Sequence, residues 1–222
     1  MIKLSKRLSI VASLIDSNNI IDVGCDHALL DIYLAQINKN RKIIVSDINE
    51  NALKNAKDNI KKYKLSNQIE ARLGSGLDTL NEDNIDTLVI SGMGSHTIVG
   101  ILHNNIFKLK NIKNIIIQSN TNLNFLREKV TKLNYYIEEE MQVKENNIIY
   151  TIIKFVKGKK RYSKKELYFG PILLKKNDVL FKEYNNIEKK KLENLMKLIP
   201  KGNYRHRLKV YLKLRMYWKQ KS

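Results

Sequence analysis

The sequence has a single cysteine and no long apolar run, and it lacks most of the glycines that a dinucleotide-binding loop uses. One cysteine excludes an intrachain disulfide and is typical of a cytoplasmic protein in a reducing compartment. No segment approaches the roughly 20 apolar residues that a membrane span requires, so we expect no membrane partner. With 222 residues, 43% of them hydrophobic, the chain is long enough for one full core and an appendage.

Acidic residues are scarce in the C-terminal part of the chain. Residues 1–156 contain 20 Lys and Arg against 17 Asp and Glu, whereas residues 157–222 contain 21 against 5, out of a net charge of +19. A concentrated positive charge on a nearly neutral body is typical of a nucleic-acid binder. A solvated basic helix surface without a partner is the alternative. We therefore divide the chain into a body, residues 1–157, and a basic helical domain, residues 158–222.

Strand and helix periods alternate along the body, which predicts an α/β, Rossmann-like, doubly wound sheet. Five strands that alternate with helices, and a final hairpin, make a mainly parallel sheet of seven strands. After a basic linker, two helical patterns flank Pro200 and Gly202, which predicts a coiled-coil-like, antiparallel helical hairpin. The predicted strands are 20–23, 42–47, 69–73, 86–94 including its closing turn at 91–94, and 114–120, with a hairpin over 135–156. The predicted helices are 28–37, 51–62, one from about 97, 123–133, 178–199 and 204–219, after a first amphipathic helix near the N-terminus.

The loop after the first strand reads DVGCDHALL, and Gly24 is its only glycine. In a dinucleotide fingerprint the places of Asp26 and Ala28 would hold glycines that admit a pyrophosphate. A carboxylate beside a pyrophosphate is repulsive, so Asp26 argues against the phosphates of NAD, FAD or ATP. It favours a ligand with a cationic group, such as the ammonium and sulfonium centres of S-adenosylmethionine. The alternatives are that Asp26 caps the following helix and that His27 packs against that helix.

Three other predicted strand ends carry polar or glycine clusters. Asp47 closes the second strand, 23 residues after Gly24, where an acid accepts hydrogen bonds from ribose hydroxyls, in NAD as well as in S-adenosylmethionine. Residues 74–76 and 91–94 form turns after the third and fourth strands, and each turn alone also fits an ordinary tight connection. Because the carboxyl ends of parallel strands meet at one sheet edge, we expect a ligand pocket there.

Five motifs resemble the bacterial tRNA (adenine(22)-N1)-methyltransferases. They are LSKRL, DVGCDHALL, SGMGS, IIIQSN and FGPILL, spread over residues 4–174. In the second of them Leu29 replaces the usual Tyr, and Asp31, directly after this motif, replaces the usual Pro. The resemblance implies a class I S-adenosylmethionine domain, a basic helical domain, and methyl transfer to N1 of an adenine in the D-arm region of tRNA. N1 has an in-plane lone pair that attacks the methyl group directly, so such a site positions the base and stabilises positive charge.

The resemblance also implies the site residues, with no metal. For the cofactor these are Gly24, Cys25, Asp26 and His27 around the methionyl part, Asp47 and Ile48 at the ribose, Gly74, Ser75 and Gly76 beside the adenine, Ser91 and Gly92 at the floor, and Arg7 at the cofactor carboxylate or an RNA phosphate. For catalysis they are Asp26, Gly92, Met93, Gln118 and Asn120, the last two orienting the target base.

We expect tRNA as the partner, a monomer, and no obligate protein partner. Two alternatives stay open from the residues alone. One is a methyltransferase for a small molecule or a protein, and the other is a non-catalytic RNA-binding module on a relic nucleotide fold.

Overall fold

A computed structural model describes residues 1–81 and 84–218 of the chain. Within these residues seven strands form one sheet: β1 (Asn19–Val23), β2 (Lys42–Asp47), β3 (Ile69–Leu73), β4 (Thr87–Met93), β5 (Asn114–Ser119), β6 (Tyr135–Glu145) and β7 (Ile148–Lys157). Their order across the sheet is β3-β2-β1-β4-β5-β7-β6. Strands β1 to β5 pair in parallel, whereas β7 pairs antiparallel with both β5 and β6. This topology confirms the predicted Rossmann-like, mainly parallel sheet.

Helices cover both faces of the sheet, as a doubly wound fold requires. In β5, Ile115 and Ile117 belong to one buried cluster and Ile116 to a second, because alternate residues of a strand point to opposite faces. The first cluster includes residues of α4 (Ser95–Asn104) and α5 (Leu123–Thr131). The second includes residues of α1 (Lys6–Ser13), α2 (Leu29–Ile37) and α3 (Glu50–Lys62).

The strand order reverses between β1 and β4, which are neighbours in the sheet although they are distant in sequence. At such a switch point the loops after the two strands diverge and leave a crevice at the carboxyl edge. The loops that follow β1, β2 and β4 therefore meet at one place. That place is where the sequence predicts a ligand pocket.

Residues 158–172 contain helical structure that was not predicted. They contain α6 (Lys164–Phe169) and the first two residues of α7 (Pro171–Lys176). Ser163 accepts a hydrogen bond from the Glu166 backbone, and the Glu166 carboxylate accepts one from the Ser163 backbone, so a capping box starts α6. The chain divides into two compact units, Met1–Ile172 and a second that begins at Leu173. The predicted domains divide instead at residue 157, where the charge changes.

The second unit contains two long helices, α8 (Val179–Leu198) and α9 (Tyr204–Trp218). The Asp178 side chain caps α8, and Arg207 donates to the carbonyl oxygens of Met196 and Ile199, which ties the start of α9 to the end of α8. This arrangement confirms the predicted helical hairpin, although Lys219, the predicted last residue of its second helix, lies outside the described residues. No helix among the described residues is long and apolar enough to cross a membrane.

Candidate active site

A cavity of about 360 Å³ lies at the carboxyl edge of the sheet, where β1, β2 and β4 end. Four residues that were not predicted contribute to its lining, namely Leu8, Asp22, Leu29 and Leu30. Nine of the predicted site residues line it as well: Arg7, Gly24, Cys25, Asp26, His27, Asp47, Ser91, Gly92 and Met93.

The loop after β1 has an unusual backbone that turns Asp26 toward solvent. Gly24, Asp26 and Ala28 all have positive φ angles, of 80°, 46° and 53°. Such angles favour glycine and are tolerated by Asp, whose short side chain bonds locally. A Cβ on Gly24 would overlap the terminal methyl group of Met93, so the Met93 side chain would have to move to admit one. The glycine therefore keeps the backbone open beside the floor of the cavity.

Neither alternative for this loop agrees with the structure. Ala28, and not Asp26, occupies the N-cap position of α2, and no side chain caps that helix. The Asp26 side chain is 73% exposed and that of His27 is 51% exposed, with His27 Nε2 3.6 Å from Asp26 Oδ1. His27 is anchored through its backbone instead, since its carbonyl oxygen accepts a hydrogen bond from Asn59. Both side chains are therefore accessible to a ligand.

A buried pair of carboxyl groups below the loop was missed by the sequence analysis. Asp22 lies in β1 and lines the cavity, and Asp31 lies in α2 and is fully buried. Burial raises the pKa of Asp22 from 3.8 to about 7, and burial together with the Asp22 charge raises the pKa of Asp31. Among the described residues, Asp22 Oδ1 and both oxygens of Asp31 accept no hydrogen bond. We infer that one of the two carboxyl groups is protonated and donates a hydrogen bond to the other, because no other described group donates to these oxygens.

The sequence did contain a signal for this pair. Asp22 is the acid that precedes the glycine of the loop, and Asp31 replaces the proline that the resembling family carries. The burial of both residues depends on how α2 packs on β1, which the linear pattern does not express.

Asp47 joins the cavity from the end of β2, and its Oδ1 accepts a hydrogen bond from the Asn49 backbone. The turn at residues 74–76 lies beside this strand end, because the Gly74 N–H donates to the Asp47 carbonyl oxygen at 3.0 Å. Gly74, Ser75 and Gly76 do not line the cavity, nor does Ile48, which is 73% exposed. The structure thus brings the predicted adenine-side residues next to Asp47 but outside the cavity wall.

A hydrogen-bond network fixes the floor. Arg7 donates to Ser91 Oγ and to Gln118 Oε1, each at 2.7 Å. Gln118 donates to Asn120 Oδ1 at 2.9 Å, and Asn120 donates to the Gly92 carbonyl oxygen at 2.8 Å. Gln118 is fully buried, and neither Gln118 nor Asn120 lines the cavity. In this structure both side chains hold other site residues in place.

The cavity has the chemistry that a cationic, phosphate-free ligand requires. Asp22, Asp26 and Asp47 contribute three carboxyl groups to its lining, and Asp22 Oδ1 is buried without a donor. Burial raises the pKa of the Cys25 thiol, so the only cysteine stays protonated and unreactive. No group of three or more His, Cys, Asp or Glu suited to a metal ion occurs among residues 1–81 and 84–218. The residues present fit the methionyl end of S-adenosylmethionine.

Comparison with known proteins agrees with this chemistry. The model of the TrmK family, described as tRNA (adenine(22)-N(1))-methyltransferase, matches residues 20–217. The chain belongs to this family. It is therefore a class I methyltransferase that uses S-adenosylmethionine as the methyl donor, which confirms the predicted enzyme class and cofactor and rejects both alternative functions.

Individual relatives support the assignment. A Bacillus subtilis tRNA (adenine(22)-N(1))-methyltransferase is 29% identical over 187 residues, which cover 81% of this chain and 79% of that protein. M. capricolum TrmK, solved with S-adenosyl-homocysteine, is 34% identical with a TM-score of 0.87, over 97% of this chain and 96% of that chain. Streptococcus pneumoniae Sp1610, solved with S-adenosyl-L-methionine, is 27% identical with a TM-score of 0.89, over 98% and 99% of the two chains.

Proposed function

We propose that this TrmK-family enzyme methylates N1 of adenine 22 in tRNA, holding the methyl donor in the cavity at the sheet edge and the tRNA on its basic C-terminal part, residues 158–222. The observation that carries the proposal is the pairing of a carboxyl-lined cavity with a separate, strongly basic helical hairpin. Carboxyl groups attract the cationic donor, and the hairpin attracts the polyanionic substrate.

The donor site is assigned to the residues that line the cavity and to their neighbours. Asp22 and Asp26 face the cationic methionyl end, with Gly24, Cys25 and His27 completing the loop. Asp47, with Ile48 beside it, accepts from the ribose hydroxyls, and the turn at residues 74–76 borders the adenine.

The floor of the cavity is assigned to Ser91, Gly92 and Met93. Arg7 is the cation for the donor carboxylate, and Ser91 and Gln118 hold its guanidinium in place. When bound, S-adenosylmethionine supplies an electrophilic methyl group.

The protein needs no strong base for this reaction, since N1 of adenine already carries its lone pair. N1 lies on the Watson–Crick edge, so the adenine must leave any base pair before it enters the site. The adenine ring becomes cationic on methylation, and the Gly92 carbonyl oxygen and the Asp26 carboxylate are the acceptors that stabilise that charge. Asn120 keeps the Gly92 carbonyl in position through its 2.8 Å hydrogen bond. Gln118 acts one step further back, as a positioning residue.

The role of Asp26 is tested by calorimetry with S-adenosylmethionine. Asp26→Ala removes a charged acceptor, so we expect the affinity to fall about tenfold to hundredfold. Asp58→Ala, which also removes an exposed acid, in α3, serves as the control and should leave the affinity unchanged. Equal affinities for the two variants would remove Asp26 from the donor site.

The role of the hairpin is tested by charge removal in the full chain. The triple variant Lys190→Gln, Lys209→Gln, Lys213→Gln removes three exposed charges from α8 and α9. For each phosphate contact that is lost, the slope of log affinity against log salt concentration should become less negative by about 0.7 to 0.9. The control, with Lys54, Lys57 and Lys61 replaced by Gln, removes three exposed charges from α3. The same tRNA affinity and slope for both triples would refute tRNA binding by the hairpin.

A monomer remains our prediction for the oligomeric state. Light scattering of the purified protein should give a mass near 25.9 kDa, and twice that mass would contradict it.

A further inference from the structure

A second cavity of about 360 Å³ lies within the helical hairpin itself. Phe181, Lys182, Asn185 and Lys189 line it from α8, and Tyr217 lines it from α9. Phe181, Asn185 and Lys189 are spaced four residues apart and so share one helix face. The cavity is therefore built into the packing of α8 against α9.

Asn185 is the unusual residue in this cavity. It is only 8% exposed, yet its side-chain amide makes no hydrogen bond within the described part of the chain. Its amide atoms are not enclosed by protein, so they face the open space of the cavity. The amide is therefore available to a ligand that enters the cavity, because no described protein group uses it.

The lining has the chemistry of a nucleotide site. Phe181 and Tyr217 are 1% and 8% exposed and form an apolar floor, against which the edge of an unpaired base can pack. The Asn185 carboxamide oxygen can accept a hydrogen bond from the N6 amino group of adenine, and its nitrogen can donate one to N7. Lys182 is exposed at the rim, and Lys189 is partly buried there, 3.5 Å from Glu193. Lysines at a rim suit a phosphate.

The charge of the surrounding surface selects the class of partner. Residues 173–218 contain 13 Lys and Arg against 4 Asp and Glu, so the cavity opens on a surface that attracts polyanions. Its volume lies at the lower end of the range of small-molecule sites, about 300 to 1,000 Å³, which suits a single nucleotide.

We propose that this cavity binds one unpaired nucleotide of the tRNA, with a preference for adenine, and so fixes where the hairpin grips its substrate. This inference rests on the proposed binding of tRNA by the hairpin. The bound nucleotide is distinct from the target adenine, which enters the donor cavity between the ends of β1 and β4. The Asn185 amide supplies the specificity, and the surrounding lysines supply the general attraction.

The test compares two identical substitutions on one helix. Asn185→Leu removes the amide from the cavity, and Asn194→Leu makes the same change at an exposed position of α8 outside it. With an in vitro tRNA transcript at fixed salt, we expect Asn185→Leu to lower the affinity about tenfold, as for the loss of one bidentate amide–base contact. Asn194→Leu should bind like the unmodified enzyme. The salt dependence should not change in either variant, because no phosphate contact is removed.

Chemical probing of the tRNA gives a second readout. In the complex, one unpaired base should be protected, and its protection should disappear with Asn185→Leu and remain with Asn194→Leu. Thermal unfolding checks that the variants fold, and Asn185→Ser, a smaller change, is judged by the same two readouts if Asn185→Leu does not fold.

The outcomes separate this inference from the proposed function. If the Asn185 and Asn194 variants bind equally while the triple lysine variant of the hairpin loses affinity, the nucleotide site is refuted and the hairpin remains the tRNA-binding part. If the triple lysine variant also binds normally, tRNA binding by the hairpin is refuted as well. A protection pattern that does not depend on Asn185 contradicts the nucleotide site in either case.

Discussion

Replacing Asp31 by asparagine is expected to stabilise the enzyme at pH 8 and to have little effect at pH 4. In the folded protein Asp31 is fully buried beside Asp22, and both pKa values are raised, whereas in the unfolded chain both carboxyls titrate near 3.9. The folded state therefore binds more protons than the unfolded state between about pH 4 and pH 7. The free energy of unfolding therefore falls as the pH rises through this range.

The shift of Asp22 sets the scale of the effect. Its pKa rises from 3.8 to about 7, and each unit corresponds to 1.36 kcal/mol, so one carboxyl of this pair costs the folded state about 4 kcal/mol at pH 7 and above. Asp31→Asn removes one titrating group and leaves an amide that donates to Asp22. We expect a gain that grows from near zero at pH 4 to about 4 kcal/mol at pH 8, or roughly 10 °C in Tm.

The assay is urea and thermal unfolding at each pH from 4 to 8. Asp58→Asn, the same change at an exposed position of α3, is the control and should shift the free energy of unfolding by less than about 0.5 kcal/mol throughout. The reasoning is refuted if Asp31→Asn is less stable than the unmodified enzyme at pH 8, or if the difference between them does not change with pH.

Three further predictions concern the same framework. The affinity for S-adenosylmethionine should rise from pH 6 to pH 8, because Asp22 ionises near pH 7 and then attracts the cation; calorimetry showing a constant affinity would contradict this. Gly24→Ala should weaken that affinity about tenfold, because φ at this position is 80° and a Cβ would displace Met93 on the floor of the cavity, whereas Gly100→Ala, with no atom within 4 Å, should not. Glu140→Gln breaks the fully buried ion pair with Arg127 and should lower the free energy of unfolding in urea by about 3 to 5 kcal/mol. Glu128→Gln breaks the exposed pair with Lys132 and should lower it by less than about 1 kcal/mol, and equal losses for the two variants would contradict this.

The strands were predictable because their signal is local. Apolar runs such as the three isoleucines of β5 suit a strand buried on both faces, and the predicted strands are observed with ends that differ by at most one residue, except that β4 continues to Met93 through the predicted turn. The hairpin turn was also readable, since Asn146 and Asn147 both adopt positive φ angles, as the tightest hairpin loops require. The helix α6 was missed because six lysines and arginines in residues 157–166 suggested a linker, although Ser163 and Glu166 have the spacing of a capping box.

The site was predictable only in part, because its geometry depends on contacts between distant residues. Gly24 and Asp26 stand out in the sequence, since they depart from a known loop pattern. The network through Arg7 and Gln118 joins residues 111 positions apart, and nothing in the local pattern shows that Gln118 is buried. In the sequence Asp31 looks like any polar residue of a predicted helix, and only the packing of α2 on the sheet makes it a buried acid.

The central claim is that the carboxyl-lined cavity and the basic hairpin together direct a methyl group to one adenine of tRNA. The most direct measurement is mass-spectrometric mapping of a tRNA transcript after incubation with the enzyme and S-adenosylmethionine, with a transcript carrying guanine at position 22 as the control. The account predicts 1-methyladenosine at position 22 and no methylation of the control. Methylation at another position, at another atom of adenine, or equally in the control would contradict it.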